Sequence, residues 1–300
     1  MEHANRFLNE VVEWLKELAS GTDKVKQSEF FKQYLDILSR FWKYSYHNQL
    51  LIVRPMPNAT RVAGFRTWNS LKRRIKRGSR AIEILAPSIR KITEVDQETG
   101  KEIEKEGVYF FPVSVFDESQ TEGEPLPDVD ITVDGDNNSS FLKMLLEFCE
   151  SRNIKVDFRN LGINGLYGYS KGGQIAITDT ESINTQVNTM VHEIGHEILL
   201  HKNQKLSRQQ REIQAEGVAY VVTKHFGMEN KSFHYLALYD ADYKKIMANL
   251  KAISGASREI IQFVEARIGD TVPIGSDLGK HNCLPGKYIS AQNAYSQLRA

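Results

Sequence analysis

The chain has 300 residues, of which 41% are hydrophobic and 26% charged, with two cysteines and a formal net charge of +1. This composition excludes a disordered chain and a disulfide-stapled scaffold, and its length allows two domains. No apolar run reaches membrane-spanning length, so we expect no membrane partner and a cytoplasmic, reducing location.

The first half of the chain predicts helices followed by a small set of strands. Helices are expected at about 3–19 and 27–43, and strands near 60–65, 81–86 and 109–116. The charged stretch Glu94–Glu106 has the character of a hairpin tip. Pro, Asp and Gly are frequent over 120–138, so we place a first domain at 1–125 and a linker at 126–138.

The small net charge conceals an uneven distribution of charged residues along the chain. Residues 40–91 contain thirteen basic residues and one acid, a net of +12, whereas residues 92–150 contain three lysines and sixteen acids, a net of −13. Aromatic residues, Phe65 among them, are interleaved with the basic run. Cations that track phosphates and aromatic faces that stack on unpaired bases are typical of proteins that bind single-stranded DNA.

The candidate DNA-binding residues lie within this basic and aromatic run. They are Trp42, Tyr44, Tyr46, Asn48, Arg61, Arg66, Trp68, Lys72, Arg73, Arg74, Lys76 and Arg77. The alternative is that several of the aromatic residues belong to the core and that the charges form a solvated face. Composition does not separate these interpretations.

The second half contains the motif Val-His-Glu-Ile-Gly-His at 191–196, after a helix over 139–152 and strands at 154–158 and 174–178. His192 and His196 are four residues apart, so on a helix they share one face and can bind one zinc ion. Glu193 would then face the water that completes the metal shell. The alternative is an ordinary amphipathic helix with histidines in other roles.

A second helix carries two further acids. Ser207 and Gln210 predict a capping box, and the helix should run to about His225. Glu212 and Glu216 are four residues apart on an alanine-lined face, where acids are costly unless they are paired or bind metal. A solvated pair is the alternative. Helices near 234–252 and 256–267 would complete a domain at 139–270, followed by a tail at 271–300.

These motifs resemble the gluzincin metallopeptidases, in which His-Glu-x-x-His precedes Glu-x-x-x-Asp. The resemblance implies Zn²⁺ held by His192, His196 and Glu212, with manganese not excluded. It implies that Glu216 orients a ligand histidine and that Glu193 is the catalytic base. Glu stands at 216 where the family has Asp, so the two acids could exchange roles.

A second resemblance covers about residues 1–270. Three stretches are similar to ArdC-type antirestriction proteins: Tyr-Ser-Tyr-His-Asn-Gln-Leu-Leu-Ile at 44–52, Asn-Ala-Thr-Arg-Val-Ala-Gly-Phe-Arg-Thr-Trp at 58–68, and Val-Phe-Asp-Glu-Ser-Gln-Thr-Glu-Gly-Glu-Pro-Leu-Pro at 115–127. The family implies an α+β chain, in which a small mixed single-stranded-DNA-binding domain precedes an ImmA/IrrE-like, zincin-type metalloprotease. In that domain the motif helix would pack on a short mixed sheet.

Three functions follow as hypotheses. The chain is a zinc protease tethered to single-stranded DNA, a protein that coats such DNA and has an idle metal site, or a protease that cuts a repressor. For the protease, we expect an extended peptide substrate to pair with the edge of strand 174–178. Candidates for stabilising the oxyanion are Tyr167, Tyr169 and Tyr220.

Overall fold

The structure is a computed structural model that describes residues 2–20, 24–95, 102–126, 137–163, 165–201, 205–228 and 243–271. Its helices are α1 (Glu2–Ser20), α2 (Lys24–Arg40), α3 (Tyr46–Val53), α4 (Phe65–Ser70), α5 (Asn137–Ser151), α6 (Ile183–Ile198), α7 (Arg208–His225) and α8 (Tyr243–Thr271). Its strands are β1 (Val62–Gly64), β2 (Arg73–Ile75), β3 (Ile82–Val95), β4 (Glu102–Asp117), β5 (Thr121–Gly123), β6 (Lys155–Phe158), β7 (Gly168–Ser170) and β8 (Gln174–Ile177). Within the described part of the chain, no helix is long and apolar enough to cross a membrane.

The described residues form two compact units, and residues 12–60 do not group with the rest of the predicted first domain. They group with the described residues of 126–274, which we call the helical unit, while residues 61–125 group with residues 2–11 in what we call the hairpin unit. The reason is that α2 packs on α7 and α3 packs on α8, so the second predicted helix and α3 bury their apolar faces within the helical unit. Most of the predicted linker and of the predicted tail lies outside the described residues.

The hairpin unit is built on one long antiparallel hairpin. Strands β3 and β4 pair from Ile82 opposite Val115 to Val95 opposite Glu102, and β1 adds to the other side of β4. The three predicted strands were therefore placed correctly, but the strands at 81–86 and 109–116 were predicted too short and the strand at 60–65 too long. The short strands β2 and β5 form a second antiparallel pair beside α4.

The helical unit contains a three-stranded mixed sheet of order β6-β8-β7. β8 pairs in parallel with β6 and antiparallel with β7, so both of its edges are occupied. The prediction that this strand offers a free edge to a substrate is therefore wrong. The edge position next to α6 belongs to β7, which packs so closely that a Cβ on Gly168 would lie 2.6 Å from a methyl carbon of Thr189.

Helices α6, α7 and α8 pack through small residues. A Cβ on Gly195 would lie 3.3 Å from the Cα of Ala215, so the glycine between the two motif histidines permits a close approach of α6 and α7. On another face of α7, a Cβ on Gly217 would lie 2.6 Å from Ile253 of α8. The first contact fixes the separation of α6 and α7, which carry the candidate ligands, and the second holds α7 against α8.

The two predicted helices at 234–252 and 256–267 are wrong where the structure describes them. A single helix, α8, continues through Gly255, and residues 234–242 lie outside the described residues. The apolar face is unbroken across the glycine, because Ile253, Ile260 and Val264 are all fully buried. Continuous burial of one face outweighs the small helix penalty of a single glycine.

Candidate metal centre and nucleic-acid interface

The two helices that carry the candidate ligands begin at side-chain caps. Ser182 caps α6 by accepting a hydrogen bond from the backbone N–H of Thr185. On α7, Ser207 and Gln210 form the predicted capping box, and the chain leaves the helix at Gly227 with a positive φ of 77°. Both helices are therefore specified by local capping chemistry before they pack against each other.

Three ligand atoms converge between α6 and α7. The Nε2 atoms of His192 and His196 are 3.1 Å apart, and Oε2 of Glu212 lies 3.5 Å from the first and 3.7 Å from the second. A tetrahedral zinc ion with bonds of 2.0–2.2 Å requires ligand atoms about 3.3–3.6 Å apart. The triangle therefore matches one face of such a coordination sphere, and these residues could hold a divalent metal ion.

The second acid occupies a different position. Oε1 of Glu216 lies 3.4 Å from Nδ1 of His192, on the far side of the ring from the Nε2 atom that joins the ligand triangle. In this place a carboxylate orients the imidazole and favours a proton on Nδ1, which leaves Nε2 free to bind metal. The geometry therefore favours Glu212 as the metal ligand and Glu216 as the residue that orients His192.

The electrostatics of the cluster follow from burial and proximity. Hydrogen bonds from His192 and His196 lower the pKa of Glu212 strongly, although its burial acts in the opposite direction. Burial raises the pKa of Glu193, which is 7% exposed, against the opposing effect of the two histidines. A carboxyl group with a raised pKa next to a metal site has the character of a general base.

A cleft of about 500 Å³ opens over these residues, and β7 forms one of its walls. Ser170 of β7 lines this cleft together with Glu193. The carboxylate of Glu197 accepts hydrogen bonds from the backbone N–H groups of Gly172 and Gly173, at 2.7 and 2.5 Å, and so ties the β7–β8 turn to α6. Neither Ser170 nor Glu197 follows a recognisable spacing, so the sequence alone did not predict them.

The three tyrosines that were candidates for stabilising the oxyanion lie in different places. Tyr169 lines the cleft, and its hydroxyl accepts a hydrogen bond from Arg159. Tyr220 is 6% exposed and donates its hydroxyl to Asp36 of α2, so it does not serve the cleft. Tyr167 lines a neighbouring pocket instead.

Four predicted DNA-binding residues are buried, which corrects their assignment. Trp42, Asn48, Trp68 and Arg73 are 7%, 9%, 1% and 8% exposed. Trp68 donates its indole N–H to the carbonyl of Phe116 at 2.9 Å, and the Arg73 guanidinium binds Thr121 at 2.9 Å. A ring or guanidinium enclosed in the core offers no free face to a base.

The remaining candidates divide between the two units. Tyr44 and Tyr46 are half-buried in the helical unit, where Arg258 of α8 hydrogen-bonds the carbonyls of Trp42 and Tyr44. In the hairpin unit the side chains of six candidates are exposed: Arg61, Arg66, Lys72, Arg74, Lys76 and Arg77. Two of these are engaged by acids of the following segment, at 2.9 Å from Arg61 to Glu118 and at 3.1 Å from Lys72 to Glu124.

Comparison with known families finds two domain models along the chain. The model of the N-terminal domain of anti-restriction factor ArdC matches residues 1–116, and the IrrE N-terminal-like domain model of the M78 peptidases matches residues 149–263. The chain thus combines an ArdC-type N-terminal domain with an IrrE-like domain. The resemblance found in the sequence is confirmed for these two domains, and the second is metallopeptidase-like and contains His192, His196 and Glu212.

Individual relatives of this ArdC-type chain are distant. An uncharacterized protein of Bacillus anthracis is 24% identical over 295 residues, which cover 83% of the chain and 49% of that protein. The chain thus spans about half the length of this relative. Crystal structures of the antirestriction ArdC protein from the R388 plasmid, metal-free and Mn(II)-bound, align with TM-scores of 0.45 and 0.46 at 15% and 13% identity. They cover 74% and 76% of this chain and 83% and 86% of those chains.

Proposed function

We propose that this ArdC-type chain is a metalloendopeptidase that binds single-stranded DNA and acts in antirestriction, by protecting or clearing the DNA of a mobile element. One observation carries the enzymatic part of this proposal. Two imidazole nitrogens and one carboxylate oxygen form a triangle with edges of 3.1, 3.5 and 3.7 Å, beside a buried glutamate in an open cleft. A structural metal site needs no such base and closes its coordination sphere with protein ligands.

The donor set of His192, His196 and Glu212 suits zinc and also accepts manganese, because imidazole and carboxylate bind both ions. The bound ion would supply Lewis acidity that activates a water molecule and polarises a peptide carbonyl. Glu193 accepts the proton of that water and passes it to the leaving nitrogen. Ser170 lines the same cleft and would hold the Glu193 carboxylate in place by donating a hydrogen bond to it.

Strand β7 is the proposed docking edge for the substrate. It is an edge strand of its sheet and lines the cleft with His192 and Glu193. An extended peptide that pairs with β7 would place its backbone along the ligand triangle, and side-chain pockets would then select the sequence. The hydrogen bonds from Gly172 and Gly173 to Glu197 hold the turn that follows β7 against α6.

The proposed DNA interface lies on the hairpin unit. Phe65 is 58% exposed at the start of α4, beside the exposed Arg66, and α4 packs next to β2, which carries the exposed Arg74. Lys76 and Arg77 follow β2 and are also exposed. An exposed ring among cations can stack on a base while the cations contact phosphates. If these four cations each neutralise one phosphate, log K should fall with log salt with a slope of about −3.

A repressor-cutting protease is the second candidate, and it is favoured by the IrrE-like domain over residues 149–263. Under that hypothesis DNA would not influence which protein is cut. Under the preferred hypothesis, the DNA gathers enzyme and DNA-bound substrate on one strand and raises their effective concentration.

The test is cleavage of a panel of DNA-bound proteins by the metal-loaded chain, with and without single-stranded DNA. The wild-type chain should cut faster with DNA present, and Glu193→Gln should bind the same amount of metal and cut nothing. Arg74→Gln combined with Arg77→Gln should lose the acceleration by DNA. Lys155→Gln, which removes an exposed cation of the helical unit, is the matched control and should keep it.

The outcomes separate the hypotheses. Metal binding without any proteolysis would favour a DNA-coating protein with an idle site. Proteolysis that DNA does not accelerate would favour the repressor protease. Equal affinity for duplex and single strands of the same length would remove the single-strand part of the proposal.

A further inference from the structure

A buried chain of hydrogen bonds lies behind His196, on the side away from the ligand triangle. Nδ1 of His196 is 2.7 Å from Nδ1 of His201, which lies just beyond the end of α6. Nε2 of His201 is 2.8 Å from Oε1 of Gln214 on α7, and the Gln214 amide donates to Asn249 of α8 at 2.8 Å. His201, Gln214 and Asn249 are 3%, 4% and 2% exposed, so water does not replace these bonds.

When His196 binds metal through Nε2, the hydrogen bonds from His196 to Asn249 can run in one donor-to-acceptor direction only. Its proton must then be on Nδ1, which donates to Nδ1 of His201. His201 in turn carries its proton on Nε2 and donates to the Gln214 carbonyl oxygen. The Gln214 amide N–H then donates to Oδ1 of Asn249. Each contact then has one donor and one acceptor, whereas a proton on Nδ1 of His201 would place two N–H groups face to face at 2.7 Å.

We propose that His201 is a positioning residue of the metal centre, which fixes the ring orientation and tautomer of His196 so that Nε2 faces the ion. The inference rests on the proposed metal site and adds to it. Glu216 supports His192 from α7, and His201 supports His196 through a relay that reaches α8. Each ligand histidine is then held at its Nδ1 atom, and the two have different partners. Loss of such a support commonly costs about 10–100-fold in metal affinity.

Three variants of His201 in the full-length chain separate its two hydrogen bonds. His201→Phe keeps the ring volume and removes both bonds. His201→Asn keeps an acceptor near the former Nδ1 position, and His201→Gln keeps a polar group near Nε2 for Gln214. Zn²⁺ affinity is measured by competition with a chromophoric chelator. We expect about a 10–100-fold loss in His201→Phe and in His201→Gln, and substantial rescue in His201→Asn.

His225→Phe is the matched control, because His225, like His201, has partners on both ring nitrogens, in this case Ser39 and Glu265. It lies thirteen residues along α7 from Glu212, a distance of about 20 Å on an α-helix. It should lower thermal stability and leave zinc affinity unchanged. Melting curves of the metal-free variants show which of them fold, and nitrogen-15 NMR of the zinc-loaded chain should find the His201 proton on Nε2.

Unchanged zinc affinity in His201→Phe, or a His201 proton on Nδ1, would overturn this inference and leave the proposed protease intact. Loss of affinity in His201→Phe without rescue by His201→Asn would indicate a general packing defect and would also overturn it. A wild-type chain that binds no divalent metal overturns both proposals. Zinc binding that depends on His201 in a chain without proteolytic activity would sustain the inference and refute the protease.

Discussion

Trp68 provides a sharp test of which aromatic residues serve the fold and which serve the DNA. Its side chain is 1% exposed, and its indole N–H donates to the carbonyl of Phe116 at 2.9 Å. Phe65, three residues earlier on the same short helix, is 58% exposed. Substitution of Trp68 should therefore lower the stability of the fold, and substitution of Phe65 should weaken DNA binding.

The magnitudes follow from burial. A tryptophan side chain buries about 150–250 Å². At about 25 cal/mol per Å², this area contributes about 4–6 kcal/mol. Trp68→Ala should accordingly lower the free energy of unfolding by about 3–5 kcal/mol. Trp68→Phe keeps most of the apolar contact and leaves the Phe116 carbonyl without its donor, a cost of about 1–3 kcal/mol. Phe65→Ala should change stability by no more than about 0.5 kcal/mol.

The assay pairs urea unfolding with titration of a fluorescent single-stranded oligonucleotide. Phe65→Ala should weaken binding by about 1–3 kcal/mol if its ring stacks on a base. Trp68→Phe should bind DNA as the wild-type chain does under conditions in which it is fully folded. The reasoning is refuted if Trp68→Phe keeps wild-type stability and loses DNA binding, because Trp68 would then present its ring to the nucleic acid.

Three further predictions concern acidic residues of the helical unit. Glu212→Ala should abolish measurable metal binding and Glu216→Ala should weaken it by about 10–100-fold in a chelator competition, whereas the opposite order would exchange their roles. Glu197→Gln should raise KM for a peptide substrate more than it lowers metal content, because it loosens the turn behind β7. Although burial acts to raise the pKa of Glu265, the hydrogen bond from His225 and the charge of Lys43 lower that pKa overall. Its stabilising contribution is therefore present above the unfolded-state pKa and is lost as the pH falls through the folded-state pKa. Melting temperatures should show Glu265→Gln less stable than wild type at pH 7, with the difference closing below about pH 4.

The sequence by itself determined the local features of the metal centre. The four-residue spacing of His192 and His196 places both rings on one face of any helix, and the capping box of Ser207 and Gln210 starts α7 without help from the rest of the fold. Each of these inferences depends on residues within about one or two helical turns.

Contacts between distant segments were decided only by the tertiary structure. Glu212 and Glu216 are equivalent in spacing, and the way α7 crosses α6 sets the first beside the Nε2 atoms and the second behind His192. The burial of Trp68 depends on the strand that supplies the Phe116 carbonyl, forty-eight residues away. Helical periodicity and capping are encoded in neighbouring residues, whereas packing and strand order bring remote residues together through burial that no local pattern records.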